Sequence, residues 1–259
     1  MTTPINNEAS VTLLALDSST ASMSVALVRD GEVVDSLATF TERNHSVRIV
    51  SEIRDLLAKN GIRGEQLDAI AVGQGPGSYT GVRIGVTAAK TLAWAWRKPL
   101  VGVSSLEALA YSAWRKLDGA SSGTAWLVPL MDARRGQVYT SRCEADSDGG
   151  WRELSKDGIR MIADWTKRLR EAAEAGDTDS PTAVWLVGDV TTHEAVIAEA
   201  QAAFGTLRTL ACDLDAGALG LLAERKLRSG ARDDVHAFVP NYTQLAEAEA
   251  KLLSAARGE

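Results

Sequence analysis

The block that most constrains this chain runs from Gly73 to Gly85 and reads Gly-Gln-Gly-Pro-Gly-Ser-Tyr-Thr-Gly-Val-Arg-Ile-Gly. It joins an apolar strand, Ala69 to Val72, to a helix from Thr80 to Trp96. Glycines at such a turn supply positive φ angles or let another group approach the backbone closely. The shape suggests a phosphate cradle. A P-loop, however, needs Gly-Lys followed by Ser or Thr, and the corresponding residues here are Tyr79, Thr80, Gly81, Val82 and Arg83. The loop has the outline of a catalytic element with no evident catalyst.

Around this block the hydrophobic pattern switches between strands and helices. Val11 to Leu16 is an apolar run ending on Asp17, as suits a strand covered on both faces. The polar turn Ser18-Ser19-Thr20 follows, then strands at Met23 to Val28 and Val33 to Phe40, joined by the hairpin signal Asp30-Gly31. Ser46 to Lys59 carries Val47, Val50, Ile53, Leu56 and Leu57 on one helical stripe, with Gly61 as its stop. Beyond the glycine block come a strand at Leu100 to Val103 and a helix at Ser105 to Lys116. The order β-β-β-α-β-α-β-α, a meander feeding right-handed crossovers, is that of the actin-like and ribonuclease-H-like half-domain.

The second half opens the same way. Trp126 to Met131 ends on Asp132, then come the turn Ala133-Arg134-Arg135-Gly136 and a strand from Gln137 to Cys143. This pattern predicts an internal duplication, hence an α/β fold of two actin-like lobes with mixed central sheets. From Ser147 to Pro181 the signal blurs: Asp148-Gly149-Gly150 is a turn, Ile162 to Ala175 a helix, and Gly176 to Pro181 a loop. Val184 to Val187 reads as a strand, and His193 to Phe204 and Ala216 to Arg228 as helices. The expected division is an N-terminal lobe at 9–110 completed by the helix at 215–230, a smaller C-terminal lobe at 111–211, and a frayed or disordered tail at 245–259.

A chain of 259 residues suits one or two domains. Its net charge of -6 argues against gripping nucleic acid over the whole surface, while leaving room for a local basic stripe. Cys143 and Cys212, far apart in sequence, are expected to be reduced, buried thiols. The opening residues lack a signal-peptide pattern, and no apolar run approaches the ~20 residues that span a bilayer. The expectation is a soluble, cytoplasmic protein with no membrane partner.

Candidate chemistry centres on Asp17 and Asp132, which would face each other across a cleft between paired lobes. In phosphoryl-transfer enzymes of duplicated folds such aspartates hold Mg²⁺ or position water, and Ser18, Ser19 and Thr20 would supply phosphate donors. The same Asp-Ser-Ser-Thr turn can equally satisfy its own backbone. No two of His45, His193 and His236 lie at a ligand spacing, so no metal site is expected. Neither Ser78 nor Ser104 has a base placed by sequence to activate it.

The helix after the glycine block carries two faces. Gly81, Gly85 and Ala89, with Ala88 and Leu92 beside them, form a small-residue face that admits a close neighbour, read here as a partner's helix. Arg83, Lys90 and Arg97 form a basic stripe with Trp94 near its end, also read as partner surface rather than a solvated face.

These residues resemble the TsaB (YeaZ) family. The resemblance is carried by Leu14-Ala15-Leu16-Asp17-Ser18-Ser19-Thr20 with Ser24-Val25-Ala26-Leu27, by Gly75 to Gly85, by Gly102-Val103-Ser104-Ser105-Leu106, and by Met131-Asp132-Ala133-Arg134-Arg135-Gly136-Gln137-Val138-Tyr139. Pro240-Asn241-Tyr242 matches the family's Pro-x-Tyr-Leu-Arg only in part, since Thr243 and Gln244 follow. The resemblance implies a member of the sugar kinase, Hsp70 and actin superfamily related to the catalytic subunit TsaD. In that relative a Gly-Val-His-His-Met-Glu-Gly-His motif holds metal, and Ser104, Ser105 and Leu109 stand here where its histidines would be. It further implies a non-catalytic scaffold or activating subunit that dimerises with TsaD for N6-threonylcarbamoylation of adenosine 37 in ANN-decoding tRNAs. Pairing would use the helices at Ser46 to Lys59 and Thr80 to Trp96, with Val50, Ile53, Leu57, Gly81, Arg83, Gly85, Ala88, Ala89 and Leu92 as interface residues. TsaE would be a further partner, self-pairing the state of the lone chain, and tRNA an indirect partner. No cofactor is required, with ATP or ADP admissible at the complex interface and Asp17, Ser18, Ser19, Thr20 and Asp132 as a vestigial nucleotide site. The alternative is an actin-like ATPase or small-molecule kinase that uses Asp17 and Asp132.

Overall fold

The computed structural model describes residues 9–40, 45–117, 123–175 and 180–243. Within them lie two five-stranded sheets. The first holds β1 (Thr12–Asp17), β2 (Ser22–Arg29), β3 (Glu32–Phe40), β4 (Ala69–Gly73) and β5 (Leu100–Val103) in the order β3-β2-β1-β4-β5. The second holds β6 (Ala125–Asp132), β7 (Gln137–Ala145), β8 (Trp151–Met161), β9 (Ala183–Gly188) and β10 (Leu207–Leu210) in the order β8-β7-β6-β9-β10. Counted within each sheet the orders are the same. In both, the first three strands form an antiparallel meander and the last two run parallel to the first. The duplication expected from Asp17 and Asp132 is therefore present in the topology, and the fold is a duplicated actin-like α/β fold.

Helices stack on these sheets in layers. On one face of the first sheet, Leu14, Leu16, Leu27, Ile70 and Val72 pack against α1 (His45–Lys59) and α2 (Tyr79–Trp96). On its other face Ala15, Ala26, Ala69 and Ala71, with Leu13, Val28, Val101 and Val103, pack against α3 (Ser105–Lys116) and α6 (Ala216–Arg228). Gly220 of α6 lies against the Ala15 methyl and Val28, so a Cβ at Gly220 would crowd both. The far face of α3 packs on the second sheet through Ala110, Ala113, Leu127 and Val187, and α4 (Ile162–Glu174) and α5 (Glu194–Ala203) cover that sheet's outer side. A lobe boundary at 110 thus falls inside α3, because one helix serves both cores.

Two strands escape the sequence pattern. β8 is an edge strand with charged and half-buried residues throughout, and its pairing with β7 slips near Arg142, so the period-two signal is broken. β10 is a four-residue edge strand, too short to register. The expected tail at 245–259 lies outside the described residues.

Candidate functional site: a filled cradle, an interlobe cleft and an open helix groove

The glycine block and the Asp-Ser-Ser turn are shaped to each other. A Cβ at Gly73 would overlap Asp17 Oδ2, and one at Gly81 would overlap the Ser18 carbonyl oxygen. Ser18 Oγ donates to the Gly81 carbonyl (2.8 Å) and lies over Gly85, while the Ser19 carbonyl accepts from Ser78 N (2.7 Å). The space above the start of α2 holds the chain's own Ser18-Ser19 turn. Ser78 Oγ then caps the helix by accepting from Gly81 N (3.3 Å). Within the same turn Thr20 Oγ1 donates to the Ser22 carbonyl and accepts from Ser22 N.

Asp17 does not reach the cleft. It is 1% exposed, its Oδ1 accepts from Ser19 N and Ser19 Oγ (both 2.7 Å), and its Oδ2 accepts from Ser105 Oγ (2.6 Å). Burial pushes its carboxyl above the usual range, opposed by the Ser105 bond and then the two Ser19 bonds. The carboxylate ties the end of β1 to its own turn and to the first residue of α3.

Ser19, Thr20 and Asp132 do share a cleft between the lobes, of about 880 Å³. Asp132 accepts from Arg134 N (3.1 Å), its own N donates to Asp189 Oδ2 (2.9 Å), and buried His193 brings Nε2 to 3.3 Å from Asp132 Oδ1 without hydrogen-bond geometry. No sequence spacing announced that His193 approach. Charged residues lining the cleft are Asp132, Asp189, Asp213 and Arg134. Three carboxylates face one guanidinium there. Asp132 lines this cleft and buried Asp17 does not, so the two do not meet across it.

Ser104 and Ser105 are occupied too. Ser104 Oγ caps α3 by accepting from Glu107 N (3.1 Å) and donates to Asp157 Oδ1 (2.9 Å), while Ser105 Oγ accepts from Gly75 N (3.1 Å) and donates to Asp17. Leu109 is buried in the core. These residues do not fit a transition metal. Among the described residues no group of three or more His, Cys, Asp or Glu is placed to hold one. Burial raises the thiol pKa of both Cys143 and Cys212.

On the outer side of the first lobe, α1 and α2 leave an apolar groove of about 580 Å³ lined by Val50, Arg83, Ala88, Leu92 and their neighbours. Val50 is 57% exposed there. The other five interface candidates lie elsewhere: Ile53, Leu57, Gly81, Gly85 and Ala89 are buried within the lobe. The small face of α2 did need a close neighbour, and that neighbour is the chain's own β1 turn. The basic stripe also divides, since Lys90 Nζ is held by the carbonyls of His236 (3.2 Å) and Phe238 (2.7 Å), and Arg83 by Tyr79 OH (2.7 Å).

The segment after α6 returns over this region. Phe238 is buried against Gly102 and the core under α2, Asn241 N donates to the Gln74 carbonyl (2.7 Å), and Tyr242 packs on Tyr79 at 5.6 Å. Asn241 Nδ2 donates to Asp157 Oδ2 (3.0 Å), so Asp157 of β8 meets both Ser104 and the C-terminal segment. Desolvation, with Glu153 and Glu107 nearby, pushes the Asp157 carboxyl up to about 6. Asp157 was missed in the sequence because its strand carried no pattern.

Residues 33–252 match the family model TsaD: tRNA N6-adenosine threonylcarbamoyltransferase. The chain is 39% identical over 242 residues to the tRNA threonylcarbamoyladenosine biosynthesis protein TsaB of Bacillus subtilis, covering 93% of this chain and 97% of that protein. It is 39% identical over 139 residues to the protein of the same name from Escherichia coli, covering 54% of this chain and 58% of that one. The solved structure of YeaZ from Pseudomonas aeruginosa superposes with a TM-score of 0.69 at 26% identity, covering 90% of this chain and 99% of that one.

Proposed function

Because this chain belongs to the TsaB (YeaZ) family of tRNA threonylcarbamoyladenosine biosynthesis proteins, we propose that it is the non-catalytic scaffold or activating subunit that pairs with TsaD. The observation that carries this reading is the groove between α1 and α2, where Val50, Ala88 and Leu92 leave apolar surface open beside Arg83. An exposed apolar channel between two helices suits a partner's helices, which would bury it with few polar groups to desolvate. Without TsaD the same surface pairs with a second copy. TsaE is a further partner, tRNA is met through the complex in the cytoplasm, and ATP or ADP would sit at the complex interface.

The non-catalytic part of the reading is supported by the Asp17 network, the filled cradle, and the hydroxyls of Ser104 and Ser105 already bonded within the chain. The test is co-elution with cognate TsaD on gel filtration. Ala88→Glu and Leu92→Glu should abolish the complex and leave the chain folded, since both side chains are only half-buried. A complex that survives both changes refutes the groove. The alternative, an ATPase or kinase using Asp17 and Asp132, requires ATP turnover by the lone chain that Asp17→Asn removes.

A further inference from the structure

One turn beyond the α1/α2 groove, the far end of α2 presents a different surface. Trp94 is 67% exposed, and a shallow cavity of about 550 Å³ beside it is lined by Arg97, Lys98, Val235 and His236 among others. Its titratable lining is wholly basic, in a chain whose net charge is -6. Among the described residues neither Arg97 nor Lys98 has an ion-pair partner, unlike Lys59, Lys156 or Arg228. The carboxylate of Asp234, the residue before Val235, accepts from the backbone N–H groups of His236 and Ala237 and lies within electrostatic reach of His236 and Lys90.

Arg97 adds a second observation. It closes α2 in the left-handed conformation, φ 53 and ψ 46, its N–H bonded to the carbonyls of Ala93 and Trp94. Glycine is the usual residue there, and a side chain in that conformation costs about 1 kcal/mol. Cations at a helix C-terminus complement its dipole, which accounts for Arg97 and Lys98 as charges. It accounts neither for an arginine where glycine is easier nor for an indole left open to water beside it.

A flat exposed indole beside two cations that have no ion-pair partner among the described residues fits a nucleic-acid single strand, a base stacking on the ring and the phosphates lying on the charges. An acidic peptide would use the cations and leave the indole unexplained. The geometry points to a direct RNA-binding patch at Trp94, Arg97, Lys98 and His236 that takes an unpaired stretch of the tRNA substrate. Identification of that RNA as tRNA rests on the function proposed above; the nucleic-acid chemistry of the patch does not.

The test is fluorescence anisotropy of a labelled ANN-anticodon tRNA transcript at several KCl concentrations, with the chain alone and mixed with TsaD, alongside gel filtration of the same mixtures. Trp94→Ala should weaken RNA binding about tenfold or more. Arg97→Gly, which puts glycine at a left-handed cap, should keep the fold and lower the salt slope by about one. Neither change should alter co-elution with TsaD. Absence of RNA binding by the wild type, or equal affinity and salt slope in wild type and variants, overturns the patch. Loss of TsaD co-elution in Trp94→Ala with RNA affinity intact makes the surface a protein interface and likewise overturns it. RNA binding through the patch by a chain that never co-elutes with TsaD sinks the subunit reading and leaves the patch standing.

Discussion

Replacing Asp157 with asparagine should make this protein more stable at neutral pH. The carboxyl is largely buried where β8 meets the start of α3 and the C-terminal segment, with Glu107 and Glu153 nearby and with hydrogen bonds, among the described residues, from Ser104 and Asn241. It titrates at about 6 instead of 3.8. A carboxyl whose pKa is raised by folding favours the fold while protonated, so the fold loses stability as pH climbs from about 4 to about 6 and does not regain it above. At 1.36 kcal/mol for each pH unit, that difference sets a ceiling of about 3 kcal/mol. Asparagine preserves both contacts: its Oδ1 accepts from Asn241 Nδ2, and its Nδ2 donates to Ser104 Oγ, which still accepts from Glu107 N. Asp157→Asn should therefore gain about 1–3 kcal/mol at pH 7.5, or roughly 3–10 °C in Tm for a chain of this size, and the gain should shrink toward zero near pH 4. Urea and thermal unfolding of both proteins between pH 4 and pH 7.5 read this directly. A variant that is less stable at pH 7.5, or whose gain is the same at every pH, refutes the reasoning.

Three further substitutions probe the interlock and the C-terminal segment. Gly81→Ala would stabilise an ordinary helix by about 1 kcal/mol, but here the methyl meets the Ser18 carbonyl, so the urea midpoint should fall. Ser105→Ala strands Asp17 Oδ2 and Gly75 N together and should cost about 2–4 kcal/mol by chemical denaturation, with no effect expected on a surface property such as tRNA affinity. Phe238→Ala removes the ring that fills the space over Gly102 and should cost about 3 kcal/mol. Limited proteolysis should then cut faster at the exposed Val239, and an unchanged cleavage rate would show that the segment is held by Lys90 and Asn241 alone.

Much of the fold could be read from residue pattern because its strands are buried on two sides. β1, β4 and β6 are continuous apolar runs, and such runs survive in sequence whatever packs on them. β8 could not be read, because an edge strand half in water keeps charged residues such as Arg152, Glu153 and Lys156. The site was harder for a different reason. Gly81, Gly85 and Ala89 correctly announced a close neighbour, but a small face carries no label saying whether that neighbour is another chain or the same one. Ser18, from far back in the sequence, supplies it. Asp157 and Asn241 were invisible for the same reason, since their meeting joins distant stretches of the chain and neither residue type is distinctive alone. Val50 shared an apolar stripe with Ile53 and Leu57 in sequence, and only the structure separates exposed Val50, on the groove, from the buried two.

The interlock of the glycine block with the Asp17 turn bears on anyone who would redesign this protein toward phosphate chemistry. Grafting a lysine into the loop would add a charge with nowhere to work, because the room it must serve is already taken by Ser18 and Ser19. Moving that turn aside first would strip Asp17 of donors in the interior and uncover glycines that nothing else fills. Each step alone lands on a less stable chain, and only both together could open a pocket. The two halves of the motif hold one another in place, so no single substitution opens a pocket here.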